Sequence, residues 1–154
     1  MIDDLYSAKI LGLAANMPHA GRLAHPDASA ERTSKLCGSR VSVDVMVDED
    51  GRVADFAQDV KACALGQASA AVLGGHVIGA RLDEIEMARN ALRDMLKADG
   101  PPAEGRFAEL AVLEAVKDYP ARHASTLLAF EAAVEAVRNA VKAETSRTSR
   151  AGAA

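Results

Sequence analysis

Alternation of apolar and polar residues marks the clearest element of the chain. Valine occupies every second position from Val41 to Val47, with mostly polar residues between. A period of two predicts a β-strand with one apolar face. The acidic run that follows ends in Gly51 and predicts a turn, because glycine takes a positive φ at little cost. Val53–Val60 is then predicted to be the returning strand of an antiparallel hairpin.

Helical periodicity and chain-breaking residues predict further elements on both sides of the hairpin. A first helix is expected over Asp4–Asn16, with Pro18 ending the pattern, and a short strand near Arg22–Ala24. Apolar spacings of three and four residues predict a run of helices after the hairpin. They cover residues 64–78, Leu82–Lys97, Phe107–Val116, and a last helix from about His123 that buries Leu127, Phe130, Val134, Val137 and Val141.

This order of elements predicts the α+β class. A small antiparallel sheet followed by helices is expected to carry those helices on one face, with a long helix at the C-terminus. The 154 residues suit one domain, predicted at 1–144. Residues 145–154 lack apolar periodicity and are expected to form a disordered tail.

Composition and charge exclude several classes of function. The net charge of −4 and the presence of only five aromatic residues argue against nucleic-acid binding. The acidic start of the chain is unlike a secretory signal, and no apolar run reaches the 18 residues of a membrane span. We therefore expect a cytoplasmic protein without a membrane partner, in which the two cysteines are thiols rather than a disulfide.

The predicted hairpin is expected to bring Cys37 and Cys63 together. If Val47 pairs with Val53, the residue numbers of every directly opposed pair sum to 100. Val41 then faces Asp59, and the same register sets Cys37 opposite Cys63. Directly opposed Cβ atoms lie about 4.5–5.5 Å apart in such a pair. A slip of one residue would still leave both thiols at one end of the hairpin.

Two neighbouring thiolates suit a soft metal, namely zinc or the iron of an iron–sulfur cluster. Cys63 precedes a predicted helix, whose N-terminus favours the thiolate. A closed tetrahedral site needs further ligands. Spacing along the chain does not select among the four histidines as a further ligand. They are His19, His25, His76 and His123.

Four segments, taken together, resemble the U-type iron–sulfur cluster assembly scaffolds, which comprise IscU, SufU and the N-terminal domain of NifU. Residues 6–10, with the loop after them, look like the opening helix of that family. Cys37-Gly38 looks like its first ligand loop, and 63–70 like its second cysteine and the small-residue helix behind it. Residues 123–127 look like its third ligand region. The resemblance spans roughly residues 4–141.

The resemblance implies a scaffold or carrier rather than an enzyme. Members receive sulfur as persulfide from a cysteine desulfurase, build a [2Fe–2S] cluster with iron, and pass it to iron–sulfur client proteins; some hold zinc instead. It also implies that Cys37, Cys63 and His123 bind the metal or cluster. The oligomeric state is left open.

Two departures from the family pattern concern the ligands. The family has a third cysteine directly after the position matched by His123, where this chain has Ala124. It has an aspartate two residues after its first cysteine, where this chain has Ser39, a weaker candidate metal ligand. The Leu-Pro-Pro-Val-Lys segment of IscU-type members is also absent, and Tyr119-Pro120-Ala121-Arg122 stands near its place.

Three other functions are compatible with the same residues. One is a persulfide acceptor that transfers sulfur without building a cluster, which the missing third thiol favours. Another is a hydrolase with Cys63 as nucleophile and His123 as base. The last is a helical interaction module with an incidental zinc site.

Overall fold

The protein folds as a three-stranded antiparallel sheet against which a long C-terminal helix packs. A computed structural model describes the backbone of residues 6–35 and 38–153, and the side chains of those residues up to 145. The elements are α1 (Ala8–Ala15), β1 (Ala28–Thr33), β2 (Arg40–Val47), β3 (Val53–Lys61), α2 (Ala64–His76), α3 (Leu82–Lys97), a 3₁₀ segment (Gly105–Asp118), a 3₁₀ turn (Pro120–Arg122) and α4 (His123–Ala153).

The predicted hairpin is confirmed, with a correction to its register. Val47 pairs with Val53 as expected, but Met46 pairs with Asp55, so Ala54 is an extra residue on β3. From Met46 and Asp55 to the open end of the hairpin, the residue numbers of each pair sum to 101. Val41 therefore faces Val60 rather than Asp59. A β-bulge of this kind depends on the local geometry near the turn, which the alternation of valines does not report.

The hairpin turn has the predicted glycine geometry. Gly51 has a φ of +79°. The side chain of Asp48 accepts the backbone N–H groups of Asp50 at 2.9 Å and Arg52 at 3.0 Å. This side-chain acceptor closes the turn and defines where the strands begin to pair.

The strand predicted at Arg22–Ala24 is wrong, and the third strand is β1, which pairs with β2. Arg22 and Leu23 instead donate hydrogen bonds to the Asp44 carboxylate on β2. Most residues of β1 are exposed, and only Thr33 is β-branched. The sequence of β1 therefore lacks the apolar alternation that marks β2.

Three helix predictions need adjustment at the level of bounds or type. The first described helix begins at Ala8, where the Ser7 hydroxyl accepts a hydrogen bond from the Ile10 N–H, and the predicted start at Asp4 lies outside the described residues. Phe107–Val116 belongs to a 3₁₀ segment. The last helix continues to Ala153, into the segment predicted as a tail. The domain limit at residue 144 stays a prediction.

The core lies between the sheet and the helices. Val41, Val43 and Val45 are at most 1% exposed, and α4 packs against both β1 and β2. The helices α2 and α3 also pack on α4. No helix in the part of the chain that the structure describes is long and apolar enough to cross a membrane.

Candidate metal centre

Cys63 lies at the junction of β3 and α2. It is the N-cap residue of α2, with extended backbone angles, and its carbonyl accepts the Gln67 N–H at 2.9 Å. Its side chain makes no hydrogen bond to the helix that it caps. The half-buried sulfur instead lies 3.3 Å from the Ser125 hydroxyl, which is in the first turn of α4.

The N-terminal ends of α2 and α4 meet at this point. A Cβ atom on Gly66 would lie 3.0 Å from the Ser125 carbonyl oxygen and 2.8 Å from the Ala62 Cβ. Glycine at position 66 therefore allows the first turn of α2 to approach α4 this closely. Helix N-termini carry positive dipole ends and unpaired N–H groups, and the Cys63 sulfur lies where two of them meet.

His123 is the first residue of α4 and is only 7% exposed. Its Nε2 lies 3.0 Å from the Val116 carbonyl oxygen and 3.2 Å from the Lys117 carbonyl oxygen. Carbonyl oxygens only accept, so Nε2 carries a proton and donates it. Nδ1 is then the ring nitrogen with a lone pair available for a metal, in the arrangement that metal-binding histidines commonly show.

The loop between β1 and β2 contains the other cysteine. The Gly38 N–H donates to the Ser34 carbonyl, and the Ser34 N–H donates to the Ser39 carbonyl, both at 2.8 Å. Cys37 itself lies outside the described residues. Because Arg40 pairs with Lys61, the end of this loop and the start of the segment to Cys63 share one end of the sheet.

The observed register differs by one residue from the register assumed for the cysteine pairing, since the last pair is Arg40 with Lys61. Cys37 lies outside the described residues, so the opposition of the two cysteines stays a prediction. Ser39 follows Gly38 and is 4% exposed. Among the described residues, which exclude Cys37, no group of three or more His, Cys, Asp and Glu side chains could hold a metal ion.

The other three histidines lie in different surroundings. His76 ends α2, and its Nε2 lies 3.1 Å from a Glu109 carboxylate oxygen. His19 is exposed, with its ring edge-on to Phe56 at 6.1 Å, and His25 is also exposed. Of the four, His123 alone begins the helix whose first turn contacts Cys63.

A second polar centre lies on β2, formed by the carboxylate of Asp44. Its oxygens accept hydrogen bonds from Arg22 at 2.7 and 2.9 Å, the Leu23 N–H at 3.0 Å and the Ser29 hydroxyl at 2.6 Å. The Arg22 hydrogen bond does most to lower the pKa of Asp44 from 3.8 to about 2, against the opposing effect of burial. The hydrogen-bonding capacity of this carboxylate is therefore taken up by groups within the fold.

Comparison with known proteins now decides the family. The model of the NifU-like N-terminal domain matches residues 5–126, which is most of the chain. The chain belongs to the NifU-like N-terminal domain family. The predicted resemblance to U-type scaffolds is thereby confirmed at the level of the family.

Solved and named relatives agree with this membership. A NifU-like protein (N-terminal) from Brucella abortus is 52% identical, with a TM-score of 0.88, and the match covers 92% of this chain and 97% of that one. The iron-sulfur cluster assembly scaffold protein IscU of Thermotoga maritima is 28% identical over 134 residues, 87% of this chain and 93% of that protein.

Two further matches are more distant in sequence. The protein of the same name from Streptococcus pyogenes serotype M1 is 26% identical over 143 residues, 93% of this chain and 89% of that protein. A SufU structure from Fervidobacterium islandicum, 21% identical with a TM-score of 0.79, covers 88% of this chain and 98% of that one and shows the α+β fold alone.

Within this NifU-like domain, Ser125 is the site residue that sequence reasoning did not assign. Its position in the first turn of a helix beginning with a candidate ligand is the signal that marks it. The hydrogen bond of Cys63 goes to Ser125, and that of the His123 Nε2 goes to backbone carbonyls. A hydrolase would need the cysteine and the histidine to bond with each other, so these contacts do not favour one.

Proposed function

We propose that this NifU-like domain is an iron–sulfur cluster assembly scaffold or carrier. It holds iron or a [2Fe–2S] cluster, with zinc as an alternative occupant, through Cys37, Cys63 and His123. It accepts sulfur from a cysteine desulfurase and passes the cluster to iron–sulfur client proteins. The family membership and two relatives named as iron-sulfur cluster assembly scaffold proteins support this assignment.

One observation carries the proposal for the ligands: the sulfur of Cys63 contacts the first turn of the helix that begins with His123. Two candidate ligands 60 residues apart in sequence therefore belong to one local structure. The half-buried sulfur, unused for capping, and the anchored imidazole are the donor types that zinc and iron–sulfur clusters take.

In this proposal the chain's own residues hold the cargo and provide an anionic thiolate. The proton stays on the His123 Nε2, which donates it in hydrogen bonds to the Val116 and Lys117 carbonyls. These bonds fix the ring so that Nδ1 serves as the ligand. Three protein ligands leave one position open for an exogenous or partner-supplied ligand, whether they hold a single four-coordinate metal ion or a [2Fe–2S] cluster with its four protein ligand positions.

Anaerobic reconstitution with ferrous iron and sulfide tests the proposal. The parent protein should develop the visible sulfur-to-iron charge-transfer absorption, with matching iron and acid-labile sulfide content. Cys63→Ala and His123→Ala should each lose most of it.

His76→Ala is the matched control for His123→Ala. His76 lies at the far end of the 13-residue helix α2, about 20 Å from its Cys63 cap. This variant should load as the parent does. A parent protein that binds neither iron nor zinc would contradict the proposal.

A second function, transfer of persulfide sulfur without cluster assembly, is favoured by Ala124. A thiolate of this chain would attack the terminal sulfur of the donor's persulfide, the sulfur–sulfur bond would break, and the donor cysteine would leave as a thiolate. Incubation with a desulfurase and cysteine, followed by mass spectrometry, separates the two. Persulfide on Cys63 together with failed reconstitution would select this function.

A further inference from the structure

The hydroxyl of Ser125 has two neighbours and one proton to share between them. Its Oγ lies 3.3 Å from the Cys63 sulfur and 3.3 Å from the Arg122 carbonyl oxygen. A carbonyl oxygen only accepts a hydrogen bond, whereas a cysteine sulfur donates as a thiol and accepts as a thiolate. The Ser125 hydroxyl can therefore donate either to the Arg122 carbonyl or to the Cys63 sulfur.

The surroundings allow this hydroxyl to turn at low cost. Thr126 Oγ1 also donates to the Arg122 carbonyl, at 2.7 Å. If the Ser125 proton turns to the sulfur, the Arg122 carbonyl keeps the stronger of its two hydroxyl donors. The Arg122 carbonyl therefore keeps a hydrogen bond. The loss of the last hydrogen bond of a buried carbonyl is what would cost the most free energy.

Burial makes the Ser125 contact specific. Ser125 is 1% exposed and Thr126 is 0% exposed, so bulk water does not compete for their protons. The Gly66 contact with the Ser125 carbonyl holds this turn of α4 against the first turn of α2. The hydroxyl consequently stays within reach of the sulfur without a rearrangement of either helix.

We infer that Ser125 is a positioning residue for Cys63: its hydroxyl lies between the Arg122 carbonyl and the Cys63 sulfur, and it donates to that sulfur when the sulfur binds a metal. This inference rests on the proposed function, because it requires that Cys63 bind a metal. Ser125 adds a hydrogen-bond donor at the ligand sulfur. It does so in a site where Ala124 contributes no thiolate ligand. Hydrogen bonds to ligand sulfurs tune the electronic properties of such centres.

The test uses Co²⁺ alone as the probe, added anaerobically to the full chain. A tetrahedral thiolate site gives a sulfur-to-cobalt charge-transfer band in the near ultraviolet. A hydrogen bond stabilises the donor orbitals of the sulfur, so its removal in Ser125→Ala should move the band to lower energy. Ser125→Thr, which keeps the hydroxyl, should retain the parental band.

Thr126→Val is the matched control, since it also removes a hydroxyl from the Arg122 carbonyl but leaves the one at the sulfur. Its band should shift by no more than half as much as that of Ser125→Ala. Urea unfolding of each variant verifies that the fold is kept. An unshifted band in Ser125→Ala, or equal shifts in Ser125→Ala and either other variant, overturns the inference. A parent protein without any sulfur-to-cobalt band overturns the metal site itself.

Discussion

Asp44 and Cys63 are the ionisable side chains at the centre of two polar sites, and they differ in how completely the fold uses them. The Asp44 carboxylate is 1% exposed and accepts four hydrogen bonds. Cys63 is half-buried, with one hydrogen bond to a residue that has another acceptor nearby. A saturated carboxylate stabilises the fold, whereas a sulfur with spare capacity is available for chemistry.

Replacing Asp44 tests the structural side of this comparison. Asp44→Ala should lower the free energy of unfolding by about 3 kcal/mol, because hydrogen bonds to a buried charge are among the stronger ones. The exposed Asp59→Ala is the control and should change it by less than about 0.5 kcal/mol. Urea denaturation measures both. If Asp44→Ala has the same free energy of unfolding as the parent, Asp44 does not have the structural role that this comparison assigns to it.

Adding a thiol tests the chemical side. Ala124→Cys restores the third cysteine of the family and should slow loss of the metal or cluster. The gain should exceed the roughly 10- to 100-fold in metal affinity that even an outer partner of a ligand contributes. Competition with a zinc chelator measures it, and Ala121→Cys, three residues earlier on an exposed site, is the control. Equal affinity in both variants would show that position 124 does not face the metal.

Acid should destabilise the protein through Asp44. Its folded pKa of about 2 lies below its ordinary 3.8, so the carboxylate contributes stability above pH 4 that is lost as the pH falls toward 2. The full contribution is about 2 kcal/mol. Urea titrations between pH 6 and 2 should show this loss. Asp44→Asn should flatten the curve in that window, and an unchanged slope would mean that other carboxylates cause it.

Two glycines of α2 should respond in opposite directions to the same change. Gly66→Ala should cost about 1–2 kcal/mol, because the new methyl group meets the Ser125 carbonyl and Ala62. Gly75→Ala meets nothing within 4 Å and should stabilise by about 0.5 kcal/mol. Thermal unfolding compares them. Metal binding should weaken only in Gly66→Ala, since that change separates the two helix starts.

Much of the fold could be predicted from local pattern. The valines of β2 all lie on a buried face, so their alternation was sufficient to predict the strand. The helix α3 begins and ends at the residues where its apolar periodicity begins and ends. β1 could not be found, because an exposed edge strand without apolar alternation looks like a loop. The extra residue at Ala54 was equally hidden, since a bulge depends on geometry rather than on hydrophobicity.

The 3₁₀ segment shows a signal that was present but misjudged. Its buried residues are Phe107, Leu110, Leu113 and Val116, spaced by exactly three. Three residues per turn is the period of a 3₁₀ helix, while an α-helix alternates spacings of three and four. The strict repeat therefore predicts this geometry. The run is broken at Phe107, whose backbone angles (φ −106°, ψ 26°) are not helical.

The candidate site was predictable in part, for a related reason. Sequence reasoning placed Cys63 at a helix start and the family pattern selected His123, because both lie at element boundaries that local signals mark. Ser125 depends on how α2 and α4 approach each other in space, which Gly66 permits. The position of Ser125 in the first turn of the helix after His123 can be read from the sequence, but its contact with Cys63 cannot, because no local pattern reports how two helices approach each other.

The end of the 3₁₀ segment also connects the packing of the core to the orientation of the imidazole. Val116 is 1% exposed, and its carbonyl oxygen is the closest acceptor for the His123 ring. A change in side-chain volume at Leu113 or Val116 would shift that carbonyl and rotate the ring with it. If His123 binds a metal as proposed, substitutions among purely apolar residues of the core would reach the metal through the orientation of this ring.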